Sequence, residues 1–296
     1  MIISLCNEVL RELSFADQCA LAKGLGYDGL EIAPFTLSDA PHQLPASRRA
    51  EVRRTAADHG IAITGLHYLL LAPEGLSITT PDHAVRRRTI EVMRALIALC
   101  ADLGGKVLVH GSPKQRRIGP DQSRDAALVR AKECFAAIAP DAEQAGVTYC
   151  IEALAPPEAE LINTVEEAAA IVDEIGSPAL RTMVDTSAAG RAERAPIPEL
   201  IGRFLESGHV AHIHLNDPNR RAPGQGELRF APILAALQGQ GYAGVCSVEP
   251  FVYEPDGPTC AARAIGYLRG LLEATRATDD FMPERSRPAV EKREPL

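Results

Sequence analysis

The run LRTMVD, residues 180–185, places an aspartate directly after a short apolar segment, and three other runs follow the same design. These are VTYCIE (147–152), VAHIHL (210–215) and GVCSVE (244–249). Each is largely apolar on successive residues rather than on alternate residues, as expected of a strand that is covered on both faces. The runs therefore predict strands of a parallel sheet, with acid or imidazole side chains at their carboxyl ends.

The same alternation of a short apolar run and a longer amphipathic segment occurs eight times along the chain. The predicted strands are residues 2–6, 29–33, 62–67, 106–110, 148–151, 180–184, 210–215 and 244–248. The predicted helices lie around residues 14–25, 46–59, 81–103, 122–144, 165–175, 197–207, 230–240 and 259–275. Several of these helical segments end at a glycine, the residue that closes a helix in the left-handed conformation.

This repeat of strand and helix predicts a single (β/α)8 TIM barrel of the α/β class over residues 1–276. A doubly wound open sheet is the alternative, but such a sheet usually carries a glycine-rich turn after its first strand. The residues at that point, 6–9, read CNEV and contain no glycine. The last segment, residues 277–296, is charged and proline-rich, and we expect it to form a flexible or loosely docked tail.

The chain of 296 residues is 46% hydrophobic and carries a net charge of −8. This composition allows a substantial core, and the acidic balance disfavours a nucleic-acid partner. The first residues lack a basic leader, and no apolar stretch approaches the roughly 18 residues that cross a bilayer. The seven cysteines form no CxxC pair. We therefore expect a cytoplasmic protein with reduced thiols and no membrane association.

The strongest functional signal is a set of four residues at the ends of the fifth to eighth predicted strands: Glu152, Asp185, His214 and Glu249. Side chains at the carboxyl ends of barrel strands point into one mouth. Carboxylates and imidazole are ligands for a hard or borderline divalent cation. Each residue taken alone also fits a structural role, and Asp185, for example, can cap the following helix. The four in succession predict a metal-dependent enzyme.

Other polar residues fall near the same predicted mouth. His67 and His110 end the third and fourth predicted strands, and His212 faces the same side of its strand as His214. We expect His67, His110 and His212 to contribute to substrate binding. Basic residues follow the fourth and seventh strands, either as solvated loops or as contacts for a phosphate: Lys114, Arg116, Arg117, Arg220 and Arg221.

Several motifs resemble the xylose isomerase-like sugar (phosphate) isomerase/epimerase superfamily, and within it the ketose 3-epimerases of the tagatose/psicose type. They are GYDGLEI (26–32), IEALAPPEAELINT (151–164), MVDTSAA (183–189), HIHLNDPNRRAPGQG (212–226) and SVEPF (247–251). The resemblance implies a Mn²⁺-type ion, with Mg²⁺, Co²⁺ or Zn²⁺ as alternatives, held by the four residues at the strand ends. It also implies a sugar or sugar-phosphate substrate and a homo-oligomer, a dimer or a tetramer.

The same resemblance assigns roles to individual residues. Glu152 and Glu249 are expected to remove a proton from a ketose and to return one, through an enediolate, with epimerisation at C3 favoured. Glu158 and Arg220 match substrate-contacting residues of the family. The chain departs from the family pattern at Ala188, where the VDTxH motif has a histidine, and in the segment ALAPP, residues 153–157.

Alternative functions use the same residues. An aldose–ketose isomerase or a keto-polyol dehydratase (lyase) would work through the same enediolate. A metal-dependent nuclease of the AP-endonuclease type is less favoured, although His67 and His110 match two further metal ligands of such enzymes. A non-catalytic sugar-binding module is disfavoured by the four aligned ligand-type residues.

Overall fold

Eight short strands pair in parallel, each with its neighbours along the chain and the last with the first. The computed structural model describes residues 1–276. The strands are β1 (Ile2–Cys6), β2 (Gly29–Ile32), β3 (Ala62–Leu66), β4 (Val107–His110), β5 (Thr148–Ile151), β6 (Leu180–Asp185), β7 (Val210–Leu215) and β8 (Val245–Val248). The sheet closes into a TIM barrel, as the sequence predicts. The proposed tail, residues 277–296, lies outside the described residues.

Helices follow the strands. They are α1 (Phe15–Leu25), α2 (Ala46–Asp58), α3 (His83–Leu103), α4 (Arg124–Ala145), α5 (Val165–Ile175), α6 (Thr186–Ala192), α7 (Ile197–Glu206), α8 (Phe230–Gly239) and α9 (Gly257–Arg276). Four 3-10 turns lie in the described loops, at Asn7–Leu10, Pro34–Thr36, Pro41–Gln43 and Lys114–Arg116. The predicted elements are all present, and the short helix α6 is an addition that the sequence analysis did not foresee.

Local side-chain chemistry sets the ends of the helices. Ser14 caps α1 by accepting a hydrogen bond from the amide of Asp17, and Asp82 caps α3 in the same way through Ala84. At the other end of α3, Gly104 has φ of 89°, in the left-handed region. The caps fix where α1 and α3 begin, and Gly104 ends α3 before β4.

The apolar side chains of the strands and of the inner helix faces form one large buried cluster. A smaller buried cluster contains Val107, Val109, Cys150 and Met183. All seven cysteines are free and buried. Among the residues that the structure describes, no helix combines the length and the hydropathy that a membrane crossing would need.

Candidate metal centre and substrate cavity

The register of the second half of the barrel brings the predicted ligands to one level. Asp185 pairs with His214 across β6 and β7. Glu249 immediately follows Val248, which pairs with Leu215. Glu152 likewise follows Ile151, which pairs with His110 across β4 and β5. The strand ends therefore carry these side chains to the same mouth of the barrel.

The structure brings four predicted ligands together in what we call the four-residue cluster: Glu152, Asp185, His214 and Glu249. One ligand atom from each lies within 4.8 Å of every other. All four side chains are buried. His214 Nδ1 lies 2.9 Å from Glu249 Oε2. The geometric expectation from the sequence, convergence of these side chains, agrees with this arrangement.

The donors of the four-residue cluster fit a divalent cation. Asp185 Oδ2 is buried and has no hydrogen-bond partner, so one carboxylate oxygen remains available. Burial and the charge of Glu249 raise the pKa of Asp185 to about 6. Burial and the charges of Glu249 and Asp185 raise the pKa of Glu152 well above its ordinary value. Such mutual repulsion among buried carboxylates is what a bound cation would relieve.

Asp185 also caps helix α6. Its Oδ1 accepts a hydrogen bond from the amide of Ala188, while Oδ2 is left for the cluster. The two roles that the sequence offered for Asp185 are thus compatible, one for each oxygen. Asn216, which the sequence analysis did not single out, fixes the neighbouring backbone by accepting from Ser187 N and donating to Glu249 O.

A buried carboxylate on β2, Glu31, supports the far side of His214. Glu31 Oε1 lies 3.1 Å from His214 Nε2, and Glu31 Oε2 lies 2.8 Å from His212 Nε2. Ser247 donates a hydrogen bond to Glu31. Although burial would raise the pKa of Glu31, His212 and His214 hold it well below its ordinary value. Contact between Glu31 and Nε2 leaves Nδ1 of His214 facing the cluster.

This geometry corrects the expected substrate role of His212. Its ring is fully buried next to Glu31 and does not line the cavity described below. His212 therefore supports Glu31 and, through it, His214. In the sequence, Glu31 stands out as an acidic residue inside the apolar strand GLEI, but its position alone does not assign it to the site.

His110 needs the same correction. Its Nδ1 lies 2.7 Å from the Tyr149 hydroxyl, its ring packs on Phe135, and it does not line the cavity. Burial and the charge of Arg116 lower the pKa of His110 well below its ordinary value. A neutral imidazole enclosed by aromatic rings is a packing group of the barrel wall.

Arg116 is not part of a solvated loop. Its guanidinium is fully buried and donates to the backbone carbonyl oxygens of Glu152, at 2.7 Å, and of His110. It therefore ties the loop after β4 to the first residue beyond β5. Lys114 and Arg117, on either side of it, are exposed.

His67 lies beside the four-residue cluster rather than on the cavity wall. Its Nε2 is 2.8 Å from Glu8 Oε2 and 3.8 Å from Glu249 Oε1. The expectation that His67 contacts substrate therefore needs the same correction: this buried ring contacts carboxylates. Glu8, in the 3-10 turn after β1, was not among the predicted site residues.

A cavity opens at the four-residue cluster, and Glu152, Asp185 and Glu249 line it. Glu158 and Arg220, the predicted substrate contacts, lie in its outer wall. Further lining residues, which the sequence analysis did not assign to the site, are Tyr68, Gly111, Ser187, Arg191, Asn216 and Phe251.

Glu158 lies between two arginines at this outer wall. Arg191 donates to Glu158 Oε2 at 2.8 Å, and Arg220 Nη1 is 3.8 Å from Glu158 Oε1. The guanidinium of Arg220 also lies over the ring of Phe251, 4.9 Å from its centroid. The arrangement offers charged hydrogen-bonding groups to a polyol in the cavity.

Gly111 allows Glu152 its position. A Cβ added at residue 111 would lie 1.6 Å from Glu152 Oε2, so every other amino acid would displace the carboxylate. The glycine follows the last residue of β4 and lines the cavity. The φ of Gly111 is not in the left-handed region, so the glycine is not required by the backbone conformation. It is required because Glu152 approaches so closely.

The model of the xylose isomerase-like TIM barrel family matches residues 19–271. The chain belongs to this family. It is similar to a D-psicose 3-epimerase of Enterocloster bolteae, with 30% identity over 232 residues that cover 78% of this chain and 74% of the relative. An L-ribulose-5-phosphate 3-epimerase of Salmonella paratyphi C is 24% identical over 273 residues, covering 87% of this chain and 92% of the relative.

Solved structures have the same fold. One is D-psicose 3-epimerase with D-tagatose from Clostridium cellulolyticum H10, with a TM-score of 0.77 and 22% sequence identity over 92% of this chain and 99% of that structure. At this identity the similarity shows the shared barrel, and the assignment of substrate depends on other arguments.

Proposed function

We propose that this protein is a divalent-cation-dependent ketose epimerase that acts on a sugar or a sugar phosphate, with inversion at C3. The observation that carries the proposal is the convergence of Glu152, Asp185, His214 and Glu249 within 4.8 Å, at a cavity that the three carboxylates line. The relatives named D-psicose 3-epimerase and L-ribulose-5-phosphate 3-epimerase support the same chemistry.

The four-residue cluster would hold the cation, with Mn²⁺ as the favoured ion. A cation bound there supplies polarisation of the ketose carbonyl and electrostatic stabilisation of developing enediolate charge. Asp185 and His214 are suited to a purely binding role, because Asp185 is fixed by α6 and His214 by Glu31.

Glu152 and Glu249 would carry the proton transfers. They extend from β5 and β8, which are separated by two strands in the barrel, and both line the cavity. A ketose bound between them presents one face of its C3 to each carboxyl group. One group removes the C3 proton and the other delivers a proton to the opposite face, which inverts the centre.

The outer wall would orient the substrate. Glu158 can accept hydrogen bonds from sugar hydroxyls, while Arg191 and Arg220 restrain its carboxylate. Because Ala188 lines the cavity where the family motif has a histidine, this chain lacks one imidazole contact. Substrate preference is therefore expected to differ from that of enzymes with the VDTxH motif.

The test is turnover of a panel of free ketoses and ketose phosphates in D₂O, with the metal-loaded protein. The expected result is deuterium at C3 of both substrate and epimer, lost in Glu152→Gln and Glu249→Gln. Deuterium at C1 or C2 of an aldose product would instead assign an isomerase, and a product lighter by one water a dehydratase. No exchange with any ketose would refute the proposal, and nicking of abasic duplex DNA would favour the nuclease.

A further inference from the structure

A second group of ligand-type side chains lies directly behind the four-residue cluster. We call it the Cys6 cluster: Cys6, Glu8, His67 and Glu249. One ligand atom from each lies within 4.8 Å of the others, and all four residues are buried. In a tetrahedral zinc site the metal–sulfur distance is about 2.3 Å and the metal–nitrogen or metal–oxygen distance about 2.0–2.2 Å, so the ligand atoms of one ion must lie near one another.

Glu249 belongs to both clusters, with one oxygen directed to each. Its Oε2 lies 2.9 Å from His214 Nδ1, and its Oε1 lies 3.8 Å from His67 Nε2. A carboxylate that offers separate oxygens to two neighbouring groups of ligands is suited to bridge two cations.

The Cys6 cluster has an unused donor. Glu8 is 6% exposed, and its Oε1 has no hydrogen-bond partner. A buried carboxylate oxygen without a partner is unfavourable unless a proton or a cation compensates it. The contact of Glu8 Oε2 with His67 Nε2 accounts for the other oxygen only.

We propose that Cys6, Glu8, His67 and Glu249 form a second cation site that selects a thiophilic ion of the Zn²⁺ or Co²⁺ class. Thiolate and imidazole favour such ions, whereas the three carboxylates and one imidazole of the four-residue cluster suit Mn²⁺ or Mg²⁺. The two sites therefore differ in metal preference, with Glu249 common to both. Burial and the nearby carboxylates raise the pKa of the Cys6 thiol, so the incoming ion displaces a proton from sulfur.

The test is titration of the metal-free, full-length protein with Co²⁺, followed by absorption spectroscopy and metal analysis. A thiolate ligand gives a sulfur-to-cobalt charge-transfer band in the near ultraviolet, and the four-residue cluster contains no sulfur. We expect this band, and about two equivalents of cobalt at saturation, because two separate ligand sets are present. Wild-type protein that saturates with cobalt and shows no such band would refute the proposal.

Variants assign the band to its ligands. Cys6→Ser should lose the band and one equivalent, and Glu8→Gln should weaken binding of that equivalent without removing a thiol. Cys150→Ser is the matched control, because this buried strand cysteine packs in the separate apolar cluster. A band that survives Cys6→Ser, or one lost equally in Cys150→Ser, would contradict the assignment.

Asp185→Asn separates this proposal from the proposed function. It removes a ligand of the four-residue cluster only, so the band should persist while epimerase turnover falls. An inactive wild-type protein that still shows the band would refute the epimerase and leave the second site intact. If Glu8 and His67 form only a hydrogen bond and no cation binds at the Cys6 cluster, the band should be absent from the wild type and from every variant.

Discussion

At the scale of single residues, the position of the Glu152 carboxylate depends on the absence of a side chain at Gly111. Because a Cβ at residue 111 would lie 1.6 Å from Glu152 Oε2, Gly111→Ala must displace the carboxylate. Displacements of about 1 Å can lower turnover roughly a hundredfold. We expect a loss of that order in kcat/KM and weaker Mn²⁺ binding, measured by steady-state kinetics and calorimetry.

Gly24→Ala is the control for this substitution, since no atom lies within 4 Å of a Cβ added there. It lies in α1, where alanine is favoured over glycine in the helix interior. Activity of Gly24→Ala should equal that of the wild type. Equal activity of Gly111→Ala would show that Glu152 does not need its present position.

Asp185 should reduce the stability of the protein when no metal is bound. In the folded state the pKa of Asp185 is raised to about 6, above the unfolded value of about 4. The protonated carboxyl therefore favours the folded state fully below about pH 4, and this contribution is lost as pH rises through about 6, where the buried group becomes charged. Asp185→Asn removes this charge and can keep the cap of α6. We therefore expect the metal-free variant to be more stable than the metal-free wild type by about 1–3 kcal/mol at pH 7.

The measurement is denaturant unfolding in the presence of a chelator between pH 4 and pH 7. The gain from Asp185→Asn should shrink as pH falls towards 4. Asp58→Asn, which changes an exposed carboxylate in α2, serves as the comparison. A gain that is the same at all pH values would exclude the charge of Asp185 as its cause.

At the scale of elements, Arg116 connects two loops at the mouth of the barrel. Arg116→Met leaves the carbonyl oxygen of Glu152 without this donor, whereas the carbonyl oxygen of His110 keeps its bond from the amide of Glu152. Each buried, unpaired polar group costs about 1–3 kcal/mol. We expect a loss of about 1–3 kcal/mol in the free energy of unfolding. Arg117→Met, at the exposed neighbour, should change it by no more than about 0.5 kcal/mol; equal effects would show that the buried bonds carry little energy.

Elements with a strong period or a cap were predictable from the sequence. The eight strands were expected within a residue of their ends, because buried parallel strands read as continuous apolar runs. Helix α6 was missed, since TSAAGRA has seven residues and little periodicity, and its cap doubles as a predicted ligand. His110 and His212 end or lie in strands as expected, but their surroundings, Tyr149 and Glu31, come from other strands. Such long-range neighbours cannot be read from local spacing.

At the scale of the whole molecule, a cation in the four-residue cluster would join the ends of β5, β6, β7 and β8. A ligand that binds only the folded state adds stability that depends on its concentration, about 2.7 kcal/mol at 100 times its Kd. We expect Mn²⁺ to raise the unfolding free energy of the metal-free protein by this amount at that concentration. The check is denaturant unfolding across a Mn²⁺ series. Asp185→Asn should show a much smaller increase, and an equal increase would place the stabilising ion elsewhere.

The order of the ligands along the chain has a consequence for biosynthesis. Residues 152, 185 and 214 leave the ribosome well before residue 249, and β8 must then pair with both β7 and the first strand made, β1. A nascent chain without β8 holds three of the four ligands in an open sheet. The complete cation site therefore forms only once β8 has closed the barrel between β7 and β1.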